Sequence, residues 1–264
     1  MSKLWKNASD ADRALDNTAG QIAYDRIRSD IIFAVLKPGF RLKLDALREK
    51  YETSVTTLRE VLNRLSSEGF VTAEGQKGFN VAPVSAQGLC EVAELRQLIE
   101  CHAMHDSIAN GDLYWESSVV AAHHKLASCE EKMIEGKSVD LKLWKRFDRE
   151  FHTALISARP SAFLLKIHND VFDHYLRYQM IALGFRGKAA ADEHSLLMKH
   201  ALSRRPAEAA TVLVEHIQKG VQHALATGPL GEGDRRAESI TSLPHAARGF
   251  RPAPASGRPQ SQPR

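Results

Sequence analysis

Asp148 and His152 stand four residues apart in a stretch whose apolar residues recur at helical spacing. One helical turn separates them, so a carboxylate and an imidazole share a face and can reach a single cation. Two ligands do not make a site. His194 and His216, each in a further segment of helical period, are candidates to complete it. Three imidazoles with one carboxylate suit zinc, nickel, iron or manganese. The simpler alternative is a polar pair on a helix surface or satisfied in a core. His216 with His223, seven apart, is a weaker pairing. His123 and His124 read as surface, because adjacent residues on a helix point apart.

A second chemistry gathers earlier in the chain. Ser54 stands where a helix N-cap would stand, ahead of Leu58, Val61, Leu62 and Leu65 at helical spacing. A preceding short helix marked by Leu44, Leu47 and Tyr51 makes this a helix-turn-helix pattern, whose second helix would enter a major groove. Thr56, Thr57 and Arg59 would then meet base edges or phosphates, Arg59 through a guanidinium fork that suits guanine. Asn63 and Arg64 would lie near the backbone, and Lys43, Arg48 and Lys50 suit phosphates. Lys77 and Gly78 form the tip of a predicted hairpin, small and basic enough for a minor groove or a phosphate strand. A small helical domain with solvated charges is the competing account.

The elements that must position these groups divide the chain. A helix is predicted from about Gly20 to Leu36 on Ile22, Ile27, Ile31, Ile32 and Val35, with Lys37-Pro38-Gly39 stopping it. Phe70–Ala73 and Phe79–Ala82 are strand-like, joined by a Gly-containing turn. From there the period is helical, with segments predicted at about 87–111, 114–134, 140–157, 161–184, 189–203 and 207–226. The expected fold class is mainly α: an N-terminal winged helix-turn-helix followed by an all-helical bundle of six or seven helices. The expected organisation is an arm at 1–19, a reading head at 20–84, a helical domain at 88–226 and a tail at 228–264.

Composition agrees with that division. The chain has 264 residues, 43% of them hydrophobic and 26% charged, which is enough apolar side chain for a real core. Its 36 Lys and Arg against 32 Asp and Glu give +4, which excludes a polybasic scaffold and points only weakly to a polyanion partner. None of the 12 histidines precedes residue 85, and eleven fall in 85–227. The tail from Gly228 holds six of the ten prolines and reads as disordered. Three cysteines without CxxC spacing do not suggest a disulfide framework. With neither an apolar run long enough to span a membrane nor a signal core, the expected compartment is the cytoplasm.

Residues 23–85 resemble the winged helix-turn-helix domain of the GntR family of bacterial transcriptional regulators. The matching features are Ile27-Arg28-Ser29-Asp30-Ile31, Leu36-Lys37-Pro38-Gly39, Leu58-Arg59-Glu60-Val61-Leu62, Glu68-Gly69 and Gly78-Phe79. The resemblance implies that the helix at 54–67 reads DNA and that the wing lies near 75–79. Two positions depart from the family pattern: Val55 stands where an arginine is usual, and Thr57 where proline is common. These changes bear on operator preference rather than on fold.

Residues 88–226 resemble the FCD effector domain of the FadR-like branch of that family. Glu94-x-Arg96-x-x-x-Glu100, Asp148-Arg149-Glu150-Phe151-His152, Glu193-His194 and His216-Ile217 carry the likeness. By that resemblance Asp148, His152, His194 and His216 are the ligands of a divalent metal, zinc foremost, with an organic acid bound above it. Arg96 is the first choice to pair with the acid, with Arg177 and Arg149 behind it. Tyr175 or Tyr178 would offer a hydroxyl and Asn169 an amide.

The expectation is therefore a homodimeric repressor that binds double-stranded operator DNA, is released by a small carboxylic acid, and has no membrane partner. It is not expected to be an enzyme: no H-E-x-x-H or comparable acid–base motif occurs, and Glu150 falls on the other face from Asp148 and His152. The alternative is a metalloenzyme or metal-stabilised scaffold with an accessory nucleic-acid-binding domain.

Overall fold

Ala23, Tyr24, Ile27 and Ile31 recur every three or four residues, and all four are buried on one face of α1 (Ala19–Ile32). The structure, a computed structural model, describes residues 19–74, 78–158, 161–182, 184–228 and 230. The expected arm up to residue 18 and nearly all of the expected tail fall outside them, as does Lys77. In the head, α1 is followed by β1 (Arg41–Leu42), α2 (Leu44–Tyr51), α3 (Val55–Ser67), β2 (Val71–Ala73) and β3 (Phe79–Val81). The strands form an antiparallel sheet in the order β1-β3-β2, with Val71 opposite Val81 and Leu42 opposite Phe79.

Three details of the head differ from expectation. Helix α1 ends at Ile32, ahead of the Pro-Gly turn, because Ala34 adopts a left-handed φ of 56° and Leu36 N–H turns back to the Asp30 carbonyl. Ile22 and Val35, part of the apolar spacing that predicts the helix, are 42% and 56% exposed. Strand β1 escaped the sequence reading because two residues carry no alternation; the free edge of β3 recruits them. The wing hairpin closes where Glu74 N–H donates to the Gly78 carbonyl, 2.9 Å away, with Gly78 at φ +94°.

The helical domain comprises α4 (Ala86–Asn110), α5 (Leu113–Ile134), α6 (Leu141–Leu155), α7 (Ala162–Ile181), α8 (Lys188–Leu202) and α9 (Pro206–Thr227). Ser85, Asp112, Asp140 and Ser161 cap the first four through side-chain oxygens that accept first-turn N–H groups. Pro206 opens α9, where its missing N–H is harmless. Helix α4 packs against α7 and α9, α5 against α6 and α8, and α8 against α9.

Helix α7 belongs to both domains. Phe172, Leu176 and Met180 are buried in the head's core together with Ile27, Leu62 and Phe70, whereas Tyr175 and Tyr178 are buried in the bundle's. Polar contacts reinforce the seam. Asp173 takes Arg28 from α1 and Arg149 from α6, Arg177 donates to the Ala82 carbonyl, and His174 stacks on Phe70 at 4.3 Å.

Candidate functional site

The predicted reading groups at the start of α3 are positioned by one local device. The Ser54 hydroxyl accepts the Thr57 N–H at 3.1 Å and lies 2.9 Å from the Thr57 hydroxyl, fixing the start of the helix. Leu58, Val61, Leu62 and Leu65 anchor the opposite face, each contributing about 1.5–3 kcal/mol by burial. Thr56 and Arg59 are left exposed, as are Lys43 and Arg48 on the preceding segment, and Thr57 is half-buried in the cap. Arg64 is held differently: its guanidinium lies 3.6 Å from the Tyr24 ring and reaches Gln21 and Glu68. Lys50 pairs with Asp30 at 2.8 Å. These two cations tie α3 and α2 to α1.

In the bundle, α6 buries Trp144, Lys145, Asp148, Phe151, His152 and Leu155 on one face. Helix α8 buries Glu193, His194 and Leu197, and α9 buries Leu213, His216 and Ile217. Three helices thus bring His152, His194 and His216 together, each with a ring nitrogen within 4.8 Å of the other two. Asp148 Oδ1 lies 3.8 Å from His152 Nε2 and 3.6 Å from His194 Nε2. Those separations are too long for hydrogen bonds and suit donors that share a central ion.

The outer nitrogens are also provided for. His152 Nδ1 is 2.9 Å from Glu100, His194 Nδ1 is 2.9 Å from Glu130, and His216 Nδ1 is 2.9 Å from Glu193. A carboxylate acceptor assigns the proton to Nδ1 and turns the Nε2 lone pair inward, the arrangement that metal-binding imidazoles require. His152 Nε2 and His194 Nε2 are buried and meet no hydrogen-bond partner among the described residues. Burial pushes the His152 pKa below its ordinary value against the pull of Glu100, and burial holds His216 well below its own against Glu193. Neutral imidazoles are the ligating form. Burial alone would raise Asp148, but Lys145 and then the neighbouring histidines hold it far below the carboxylate range. Two orphaned inward nitrogens, a third imidazole and an ionised carboxylate fit a divalent transition metal.

The residues expected to meet an acid are dispersed. Arg96 is 1% exposed, donates to Glu100 at 2.7 Å and lies between the rings of Phe172 and Tyr175, at the edge of the histidine cluster. The Tyr175 hydroxyl donates to the Ile217 carbonyl at 3.1 Å, and burial pushes its pKa up to about 12. Its fit depends on Gly220, where a Cβ would stand 2.4 Å from that oxygen. Arg177 is at the domain seam on Ala82, and Asn169 lines an exposed cleft with Arg28 and Arg149. Neither is beside the histidines.

The sequence reading did not assign Glu100, Glu130 or Glu193 as histidine partners, nor did it single out Lys145, His168 or Arg186. His168 Nε2 is 2.9 Å from Glu100, and Arg186 pairs with Glu193 beside His216. Glu150 points to the surface and pairs with Lys125.

Comparison with known proteins bears on both halves. Residues 19–81 match the model of bacterial regulatory proteins of the gntR family, and residues 91–219 match the FCD domain. The chain belongs to the GntR family, in its FCD-containing form. It is 30% identical to the uncharacterized HTH-type transcriptional regulator BphR of Paraburkholderia xenovorans, over 83% of this chain and 90% of that protein. It is also 30% identical to the HTH-type transcriptional repressor GlaR of Escherichia coli, over 74% of this chain and 90% of that one. The fold resembles E. coli McbR/YncC, with a TM-score of 0.66 at 19% identity, covering 79% of this chain and 98% of that one. A putative GntR regulator from Rhodococcus sp. RHA1 is similar, with a TM-score of 0.64 at 20% identity, covering 78% and 97%.

This GntR-family chain is therefore a DNA-binding transcriptional regulator and not an enzyme. FCD domains generally bind metal, and the three-histidine group lies within the matched region. No helix among the described residues is long and apolar enough to cross a membrane.

Proposed function

We propose that the protein is a homodimeric repressor. Two heads occupy half-sites of an operator, and a small carboxylic acid bound at a metal held by Asp148, His152, His194 and His216 releases them. The observation that carries this reading is the inward set of donors, each histidine backed by its own glutamate. When bound, the ion supplies a Lewis-acid position for an anion. In the head, Thr56, Thr57, Arg59 and the wing around Lys77 and Gly78 read or touch DNA, with Lys43 and Arg48 on phosphates. The name of the E. coli relative supports the sign of regulation.

Helix α7 is the physical link between site and head. Its Phe172 ring lies under Arg96 on one side and within the head's core on the other. Arg149, the residue after Asp148, reaches Asp173 together with Arg28 of the head. An adjustment around Asp148 or Arg96 is thereby felt at α1. The acid must bind the released arrangement more tightly than the operator-bound one, because equal affinity shifts nothing.

The test uses the full-length protein and its operator fragment. Wild-type protein is expected to carry metal by elemental analysis and to lose operator affinity with an acid from a carboxylate panel. A His152→Ala/His194→Ala variant is expected to lose both the metal and the response. A metal-free variant that keeps the wild-type acid response would refute the reading.

A further inference from the structure

Arg149, Lys166 and Asn169 lie apart from the histidines but close to one another. They line an open cleft of about 710 Å³, to which the head contributes Arg28. Its walls come from α1, α6 and α7, so the cleft exists only where head and bundle meet. Both guanidiniums converge on Asp173, Arg28 on Oδ2 and Arg149 on Oδ1. Arg28 Nε also lies 3.3 Å from Glu68, which is matched in turn by Arg64 at 3.3 Å. Asp170 is the other carboxylate of the lining. Around the cleft, Arg28, Arg64, Arg149 and Lys166 therefore meet Glu68, Asp170 and Asp173, four cations against three carboxylates.

The hydrogen-bond donors there are only partly used. A guanidinium presents several N–H groups in a rigid fork. The contacts above engage Nε and Nη1 of Arg28 and Nη2 of Arg149, which leaves Arg28 Nη2 and Arg149 Nε and Nη1 without an acceptor among the described residues. Lys166 and Asn169 are exposed and equally without an acceptor among them. One fork satisfies a planar carboxylate. A phosphate holds three oxygens in a tetrahedral array and can take two forks and an ammonium from three helices at once. The cleft is also larger than a bare phosphate and falls in the range of small-molecule sites, about 300–1,000 Å³. Ala162 and Leu165 give it an apolar wall against which an organic body can lie.

We propose that this cleft is a second ligand site, separate from the histidine cluster, and that it takes a phosphate monoester. The phosphate bridges Arg28 of the head to Arg149 and Lys166 of the bundle, and the Asn169 amide donates beside them. The site requires neither the metal nor the acid, so it goes beyond the reading above. A ligand held there fastens α1 to α6 and α7 across the seam.

The experiment titrates full-length protein with inorganic phosphate and with phenyl phosphate by calorimetry. Lys166→Glu, Asn169→Asp and Lys166→Arg are run alongside, with zinc content measured for each. Both positions are exposed, so these substitutions leave the fold intact. Wild-type protein is expected to bind both phosphates saturably, phenyl phosphate the more tightly. Lys166→Glu and Asn169→Asp are each expected to weaken binding by roughly tenfold or more, the loss typical of a charged hydrogen bond, while Lys166→Arg keeps most of the affinity. Absence of saturable phosphate binding in the wild type would overturn the proposal. So would an affinity unchanged in Lys166→Glu at equal zinc content, which would place the phosphate at the metal or on the reading head. Benzoate serves as the planar anion: an affinity cut as steeply by Lys166→Glu would overturn the choice of a phosphate. A failed acid response at the histidines would leave each of these outcomes as decisive as before.

Discussion

Replacing Glu130 with glutamine separates a metal-orienting role from a merely structural one. Glu130 is 1% exposed, its Oε1 lies 2.9 Å from His194 Nδ1, and its Oε2 meets no partner among the described residues. Glutamine keeps the shape and an acceptor oxygen, so His194 stays in place, but the acceptor becomes neutral. A hydrogen bond to a charged group contributes about 1.5–3 kcal/mol and a neutral one about 0.5–1.5 kcal/mol. The difference of about 1–1.5 kcal/mol corresponds to roughly a tenfold weaker Kd for zinc, at the lower end of the effect of outer-shell partners on metal affinity. In metal-free protein the sign is different. The substitution removes a buried carboxylate with one unsatisfied oxygen, so stability should hold or rise. Competition against a chromophoric zinc chelator gives the first quantity, and urea unfolding of metal-free protein the second. An unchanged zinc Kd together with a less stable metal-free protein would refute the reasoning, because it would make Glu130 a packing residue.

Arg59→Ala is expected to weaken operator binding by about 1–3 kcal/mol and relax sequence preference. Arg64→Ala, which removes the contacts to Tyr24, Gln21 and Glu68, should chiefly lower the stability of the head; gel-shift titration and thermal melts distinguish them. Gly220→Ala should destabilise the bundle by about 1–3 kcal/mol through overpacking against the Tyr175 hydroxyl, and Tyr175→Phe in the same chain should restore part of it, read by chemical denaturation. His174 is held below its ordinary 6.5 by burial. The unfolded chain therefore takes a proton first as pH falls through 6.5, and stability drops below that point. The difference in stability between wild type and His174→Gln should shrink from pH 7 to pH 5; a constant difference would rule out His174 as the source.

How much of this was legible in the sequence follows from which forces act locally. The bundle helices were readable to within three residues at every end because their apolar spacing is long, and for the first four a Ser or Asp cap sits beside it. That Asp148 lies beside His152, His194 and His216 was legible only through a family resemblance, which supplied the long-range pairing that spacing alone cannot. Glu130 lies 64 residues from the histidine it orients, and no periodicity reports such a contact. Lys145 was passed over because a lysine amid charged neighbours reads as solvated, and only the fold shows that the face it occupies is the inner one. Arg64 was read as a DNA contact from its place on α3, whereas the Tyr24 ring that holds it comes from a helix 40 residues earlier. Asn169 and Arg177 were named for their chemistry, and helical phase carried them away from the histidines.

The sharing of α7 between two cores bears on how such regulators can diversify. Because Phe172, Leu176 and Met180 complete the interior of the head, a head transplanted from a relative would meet an alien surface inside its own core. Recombination at residue 85, where the linear sequence suggests a clean joint, would leave Phe70 and Ile27 facing side chains selected for another partner. New pairings of head and bundle must then bring compensating substitutions along α7, or carry α7 together with the head. The chain reads as two modules in line, yet inheritance must treat them as one.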